Sequence, residues 1–252
     1  MSYLREISVP PSFPQLMLKV AYASLQMQQL KCHSGDVNSC TAYGGFMVTG
    51  GHDKSLIIHN GQGKLVRSKH KAHDHIIRAL TIYHGPGTPM VISGSWDGKR
   101  GRKDGGFIVL ESATLKPIFE GRDSRHWLRD VKFSPDGKSF AVASMDHKIY
   151  IYNRDTFRLK GTCDRHNSHV ENFDFSEDSV YIQSDSGDYE HLYFEAEDGE
   201  YFASGSQLKN IRFADWTCTY GWPVQGSYFD DVEKGKLLDD DDFLFVRILR
   251  KL

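Results

Sequence analysis

Histidine, serine or threonine, and aspartate recur together along this 252-residue chain, as His33, Thr49 and Asp53, as His126, Ser144 and Asp146, and as His169, Ser184 and Asp188. A base, a nucleophile and an orienting acid are the ingredients of acyl transfer, but that chemistry needs one such set converging in one pocket. Here the set returns with the turn aspartates Asp53, Asp97, Asp146, Asp188 and Asp242, about every 42 to 54 residues. Repetition at that period is what a structural hydrogen-bond network produces, once per repeated unit. The chain spells no GxSxG, P-loop or HExxH, so no catalytic residue is expected and the protein is read as a non-enzyme.

Metal and cofactor chemistry are equally poorly supplied. His73 with His75, and His166 with His169, lack a cysteine or carboxylate set at ligand spacing. The run Asp239 to Asp242 lacks the glycine and spaced ligands of a calcium loop and reads as a solvated turn. Cys32, Cys40, Cys163 and Cys218 are scattered, which suits buried thiols in a reducing, cytoplasmic setting. No metal and no cofactor are therefore expected. A formal charge of −2 and a pI near 6.6 give no global attraction to nucleic acid. No stretch approaches the roughly 18 apolar residues that a membrane span needs. The expected partner is another protein. The local exception in charge is the basic run Lys99, Arg100, Arg102 and Lys103, followed by Arg122, Arg125 and Arg129. It is the candidate contact for an acidic protein surface, with a solvated loop as the alternative. Trp127, Trp216 and Trp222 are expected in packing between units.

The elements that must position these residues are short alternating strands. The third unit is the clearest: HWLRDVKFSPDG, SFAVASMD and KIYIYN read as three strands, with Pro135, Asp136 and Gly137 supplying turn geometry. The same succession appears as CHSGDVNSCTA, FMVTGGHD and SLIIHN, as AHDHIIRALTIYH, MVISGSWD and GFIVLES, and as SHVENFDFSEDS, VYIQSDSGD and EHLYFE. A fifth, distorted unit is visible in KLLDDDD and FLFVRIL. Each unit is one blade, and the fold class is an all-β propeller of about five degenerate blades. Residues 1–15, rich in proline, form a flexible lead-in; the units span approximately 16–64, 65–120, 121–160, 161–204 and 205–252. Closure stays open between a five-bladed ring, in which LQMQQLK completes the last blade, an open arc, and an incomplete or truncated piece of a larger propeller.

The order His, V-x-F-S-P-D-G, A-x-A-S-x-D and I-x-I-aromatic over His126 to Asn153 resembles the WD40 repeat. That resemblance implies a buried network built from a histidine between blades, a Ser or Thr in the second strand, and the turn aspartate. The signature Trp-Asp is replaced by His59-Asn60, Leu110-Glu111, Tyr152-Asn153, Phe194-Glu195 and Leu249-Arg250, so the networks are expected to be partial. Within Val109 to Gly226, the succession SGDYE, a strand, and WTCT resembles the C-terminal propeller of the echinoderm microtubule-associated-protein-like family. GKLLDDDDFLFVRIL is similar to that family's following blade. The resemblance implies a non-catalytic interaction module of the cytoskeleton that binds tubulin or microtubules. A general scaffold without tubulin contact, and a propeller fragment, are the alternatives.

Overall fold

A computed structural model describes residues 33–43, 45–83, 85, 87–96, 105–215 and 217–219. The proline-rich lead-in, Cys32, the basic run Lys99 to Lys103, Asp97, Trp216, Trp222 and most of the fifth unit, from residue 220 on, lie outside the described residues.

Among the described residues, fifteen strands form four antiparallel sheets. The first holds β1 (Val37–Tyr43), β2 (Phe46–Gly51), β3 (Leu56–Asn60) and β4 (Leu65–Lys69) in that order. The second holds β5 (Ile77–Tyr83), β6 (Met90–Ser95), β7 (Gly106–Glu111) and β8 (Pro117–Gly121). The third holds β9 (Leu128–Phe133), β10 (Ser139–Ser144), β11 (Ile149–Asn153) and β12 (Leu159–Cys163). The fourth has only β13 (Val170–Phe175), β14 (Tyr181–Ser186) and β15 (His191–Glu195). The outer strands β4, β8 and β12 are mostly exposed or half-buried and carry no apolar alternation, which is why the sequence showed three strands per unit. They pair with the strand before them, so Leu65–Lys69 completes the first sheet rather than opening the second.

Turn chemistry repeats with the sheets. The residue after the turn aspartate takes a left-handed conformation at Lys54 (φ 66°), His147 (φ 72°) and Tyr189 (φ 66°). Adopting αL there lets a four-residue turn reverse the chain between second and third strands. The second residue of each first strand, at Asn38, Arg78, Arg129 and Glu171, is skipped in the pairing, a bulge that re-aims the chain at the same end of every sheet.

Burial is between sheets, not within one centre. Val48, Leu56 and Ile58 of the first sheet meet Ile77, Leu80, Val91 and Leu110 of the second. Phe107, Ile92 and Val109 meet Phe140, Val142, Tyr150 and Tyr152 of the third, with the Phe140 and Tyr152 rings stacked at 5.0 Å. Ala141, Ile149 and Ile151 meet Phe173, Phe175, Ile182 and Phe194 of the fourth. Each sheet is apolar on both faces and is buried only by its neighbours, which is how a propeller is held together.

Candidate functional site

Beneath the turns that join second to third strands lies one polar network per sheet. In the first, His33 bridges Asp53 and Thr49, Nδ1 at 2.8 Å from Oδ1 and Nε2 at 2.9 Å from Oγ1. Asp53 also accepts the backbone N–H groups of Ser34 and Ser55. Burial alone would raise its carboxyl pKa, but His33 and these amides outweigh that and hold it below the usual value. The turn aspartate therefore ties the turn to the segment that leads into the first strand. In the second sheet His73 takes the histidine place, with Nε2 2.8 Å from Ser93 Oγ.

In the third and fourth sheets the network uses other residues than the sequence suggested. Ser144 Oγ lies 2.6 Å from Ser124 Oγ, and Ser124 reaches Asp146 at 3.2 Å. Asp146 further accepts the Arg125 amide and the Tyr150 hydroxyl. His126 instead packs edge-on against Trp127 at 5.0 Å, because its two-residue offset turns it out of the inter-sheet cleft. In the fourth sheet His166, not His169, meets Ser184, at 2.7 Å. His169 sits at the mouth of β13, 2.6 Å from Glu171 Oε1, and Asp188 is bonded by Ser186 rather than by a histidine. Spacing does not separate the two histidines: the partner of the second-strand hydroxyl stands 16, 20, 20 and 18 residues before it in the four sheets, and the excluded His126 stands 18 before Ser144.

A second polar cluster, not foreseen from sequence, joins three neighbouring segments. Lys132 Nζ of β9 lies 2.7 Å from Asp174 Oδ1 of β13 and 3.0 Å from Asp130 Oδ2, and also donates to Thr217 Oγ1 and the Phe173 carbonyl. Lys132 and Asp174 are 2% and 0% exposed, so the pair is stable only if every lone pair finds a donor. Thr217 Oγ1 and the amides of Thr217 and Cys218 supply them, at 2.6, 3.0 and 3.0 Å. Burial pushes the Asp174 carboxyl up, but Lys132, Thr217 and the Cys218 amide bring it down to about 2. Thr219 Oγ1 adds a bond to Asp185 at 3.3 Å. Three residues of the WTCT motif thus tie the start of the fifth unit to the inner strands of the third and fourth sheets.

Above these networks is an end surface. The turn between second and third strands is four residues long in three sheets but runs from Trp96 to Gly105 in the second. That ten-residue connection holds the basic run Lys99, Arg100, Arg102 and Lys103, and its last residue, Gly105, sits against His126 and Leu128. Its first residue, Trp96, stacks on Trp127 at 4.8 Å and 13°. Arg125 is exposed in the same region, while Arg129 is ion-paired to Glu171. Among the described residues no group of three or more metal-ligating side chains comes together.

Antiparallel sheets of three or four strands packed side by side, each with a buried polar network at its second-strand Ser or Thr, define a WD40-like β-propeller. The family model described as "Echinoderm microtubule-associated protein second beta-propeller" matches residues 27–239, and the chain belongs to that family. Echinoderm microtubule-associated protein-like 3 of Mus musculus is 29% identical over 188 residues, covering 73% of this chain and 20% of the relative. The 77 kDa echinoderm microtubule-associated protein of Lytechinus variegatus is 31% identical over 72% of this chain and 26% of its own. Echinoderm microtubule-associated protein-like 4 of Xenopus tropicalis is 34% identical over 57% of this chain and 15% of its own. The chain thus spans about a quarter or less of the length of these relatives.

Proposed function

We propose that this propeller is a non-catalytic, cytoskeletal interaction module that associates with microtubules, binding an acidic protein surface such as a tubulin tail. The relatives' names supply the microtubule link. The observation that carries the location is the enlarged turn of the second sheet: six residues longer than its counterparts, it adds four basic and two acidic side chains between Trp96 and Gly105. In a chain of formal charge −2, that run of basic residues in the sequence, together with exposed Arg125, supports an acidic partner. The mechanism is that of a scaffold: the packed sheets fix the two ends of this connection, Trp96 and Gly105, and association is steered by charge.

Co-sedimentation of the purified chain with stabilised microtubules across a salt series tests this. Saturable pelleting that weakens with salt is expected. Charge reversal at Lys99, Arg100, Arg102 and Lys103 should weaken it by roughly fourfold or more, from four charge interactions each worth about 0.2–1 kcal/mol. A folded chain left in the supernatant would reject microtubule association and favour a general scaffold, and pelleting unchanged by the reversal would reject the role of this turn.

A further inference from the structure

We propose that the outer edge of β4 docks an acidic, extended peptide segment of a partner protein, which adds to the first sheet as a fifth strand. This surface is separate from the enlarged turn of the second sheet and needs none of that turn's residues.

β4 is the last strand of its sheet, paired on one side with β3 and on the other with no strand among the described residues. An unpaired edge offers a row of backbone N–H and C=O groups, which another strand satisfies together. Leu65, Val66, Arg67 and Ser68 are all exposed, Leu65 at 55% and Val66 at 47%. The outer edges of the other sheets are obstructed. β8 starts with Pro117, and its Phe119 is stacked on Phe157, in the turn after β11, at 5.1 Å. In β12, Lys160 is ion-paired to Glu197, and a Cβ on Gly161 would meet the Asp198 backbone. Beside β15, Tyr201 pairs with Phe194, and the Phe202 amide donates to the Tyr193 carbonyl.

Charge selects the occupant. Lys64, Arg67, Lys69 and Lys71 lie along this edge, and Lys54 joins them where its carbonyl accepts the Ala72 amide. The sequence holds no aspartate or glutamate between Asp53 and Asp74, and no ion pair joins any of the five cations to a carboxylate among the described residues. Register puts Arg67 opposite Ile58 and Lys69 opposite Leu56, so both stand on one face of the strand, two residues apart. An added strand with carboxylates at alternate positions meets both. The same cations repel the equivalent edge of a second copy of this chain, which leaves a different, acidic segment as the occupant. A phosphate polyanion would match the charge but not the alternating backbone donors and acceptors; a peptide matches both.

The probes are two labelled peptides, Thr-Glu-Val-Glu-Thr-Glu and the same sequence N-methylated throughout, which keeps the charge and removes the amide donors. Titrated with the whole chain at low salt and followed by anisotropy, the first is expected to bind at least about tenfold more tightly, as its backbone bonds are lost in the second. Arg67→Glu combined with Lys69→Glu should weaken the first peptide about two- to thirtyfold, the span of two exposed ion pairs, with native circular dichroism and Tm as the check on folding. If that variant fails to fold, amide exchange in the unaltered chain replaces it, and the peptide should slow exchange within Leu65–Lys69. Equal binding of the two peptides would reveal a surface that takes any polyanion and would overturn the proposal. Affinity unchanged by the double reversal, or exchange unchanged within Leu65–Lys69, would do the same. Binding lost instead on reversal of Lys99, Arg100, Arg102 and Lys103 would also overturn it and assign the acidic partner to the enlarged turn. Binding of neither peptide would reject this edge, while the pelleting assay still decides microtubule association by itself.

Discussion

Replacing Asp174 with asparagine removes the charge that neutralises Lys132 while nearly preserving volume. The carboxylate is fully buried and takes five contacts: Lys132 Nζ, Thr217 Oγ1, the amides of Thr217 and Cys218, and Gln183 Nε2 at 3.2 Å. Breaking one side of a buried ion pair costs about 3–5 kcal/mol, because the remaining charge is stranded. In a domain of this size that is a fall in Tm on the order of 10 °C. The pH dependence gives a separate handle. A folded pKa of about 2 lies below the unfolded value of 3.8, so the contribution is fully present above about pH 5 and is lost as pH falls through 3.8 towards 2. Urea unfolding followed by fluorescence at pH 7 and across pH 5 to 3 should show the unaltered chain losing stability steeply and Asp174→Asn starting lower with a flatter profile. Lys132→Met should cost a similar amount, since it strands both Asp130 and Asp174. A loss under about 1 kcal/mol with an unchanged pH profile would refute the assignment of this cluster as a structural tie.

Ser124→Ala should cost about 1–2 kcal/mol in urea unfolding, as Ser124 Oγ bonds Ser144, Asp146 and the His126 carbonyl, whereas His126→Ala should cost less than half as much. Burial lowers the His166 pKa, against the pull of Glu190, Asp188 and Asp185. A depressed histidine favours the folded state above its unfolded pKa and loses that as pH falls, so stability should decline from pH 7.5 to 5.5, and His166→Gln should flatten the decline. Gly161→Ala should destabilise by about 1–3 kcal/mol, because its new methyl group would overlap the backbone of Asp198, in the turn where the fourth sheet meets β12. A thermal melt of the variant within error of the parent would show that this contact gives way.

The repeat, and with it the fold, was legible because the turn aspartate and the alternating third strand are local patterns. Asp53 and its αL neighbour Lys54, or Asp146 and His147, are dictated by four-residue turn geometry and leave their mark on four adjacent positions. The network histidines were harder. His126 and His166 both precede a first strand, and only the path of the lead-in bend decides that Ser124 points into the cleft while His126 packs on Trp127. The Lys132 cluster was illegible for another reason. Asp130, Lys132 and Asp174 alternate with apolar residues and so read locally as a solvent-facing side, but first strands of adjacent sheets lie close enough to bury them. That burial is a property of the assembled sheets, as is the meeting of Trp96 and Trp127.

The tie between Asp174 and the residues 43 and 44 positions downstream has a temporal meaning. A chain emerging from the ribosome completes the strands of its fourth sheet well before Thr217 and Cys218 are made. Until then Asp174 and Lys132 face each other with three donors missing, and the sheet is held in a state poorer than its final one. Only when Thr217 and Cys218 are free to fold back is the set of donors complete for the third sheet, the fourth sheet and the segment that follows. A chain that ends before Thr217 is therefore expected to hold its third and fourth sheets less firmly than one that includes it.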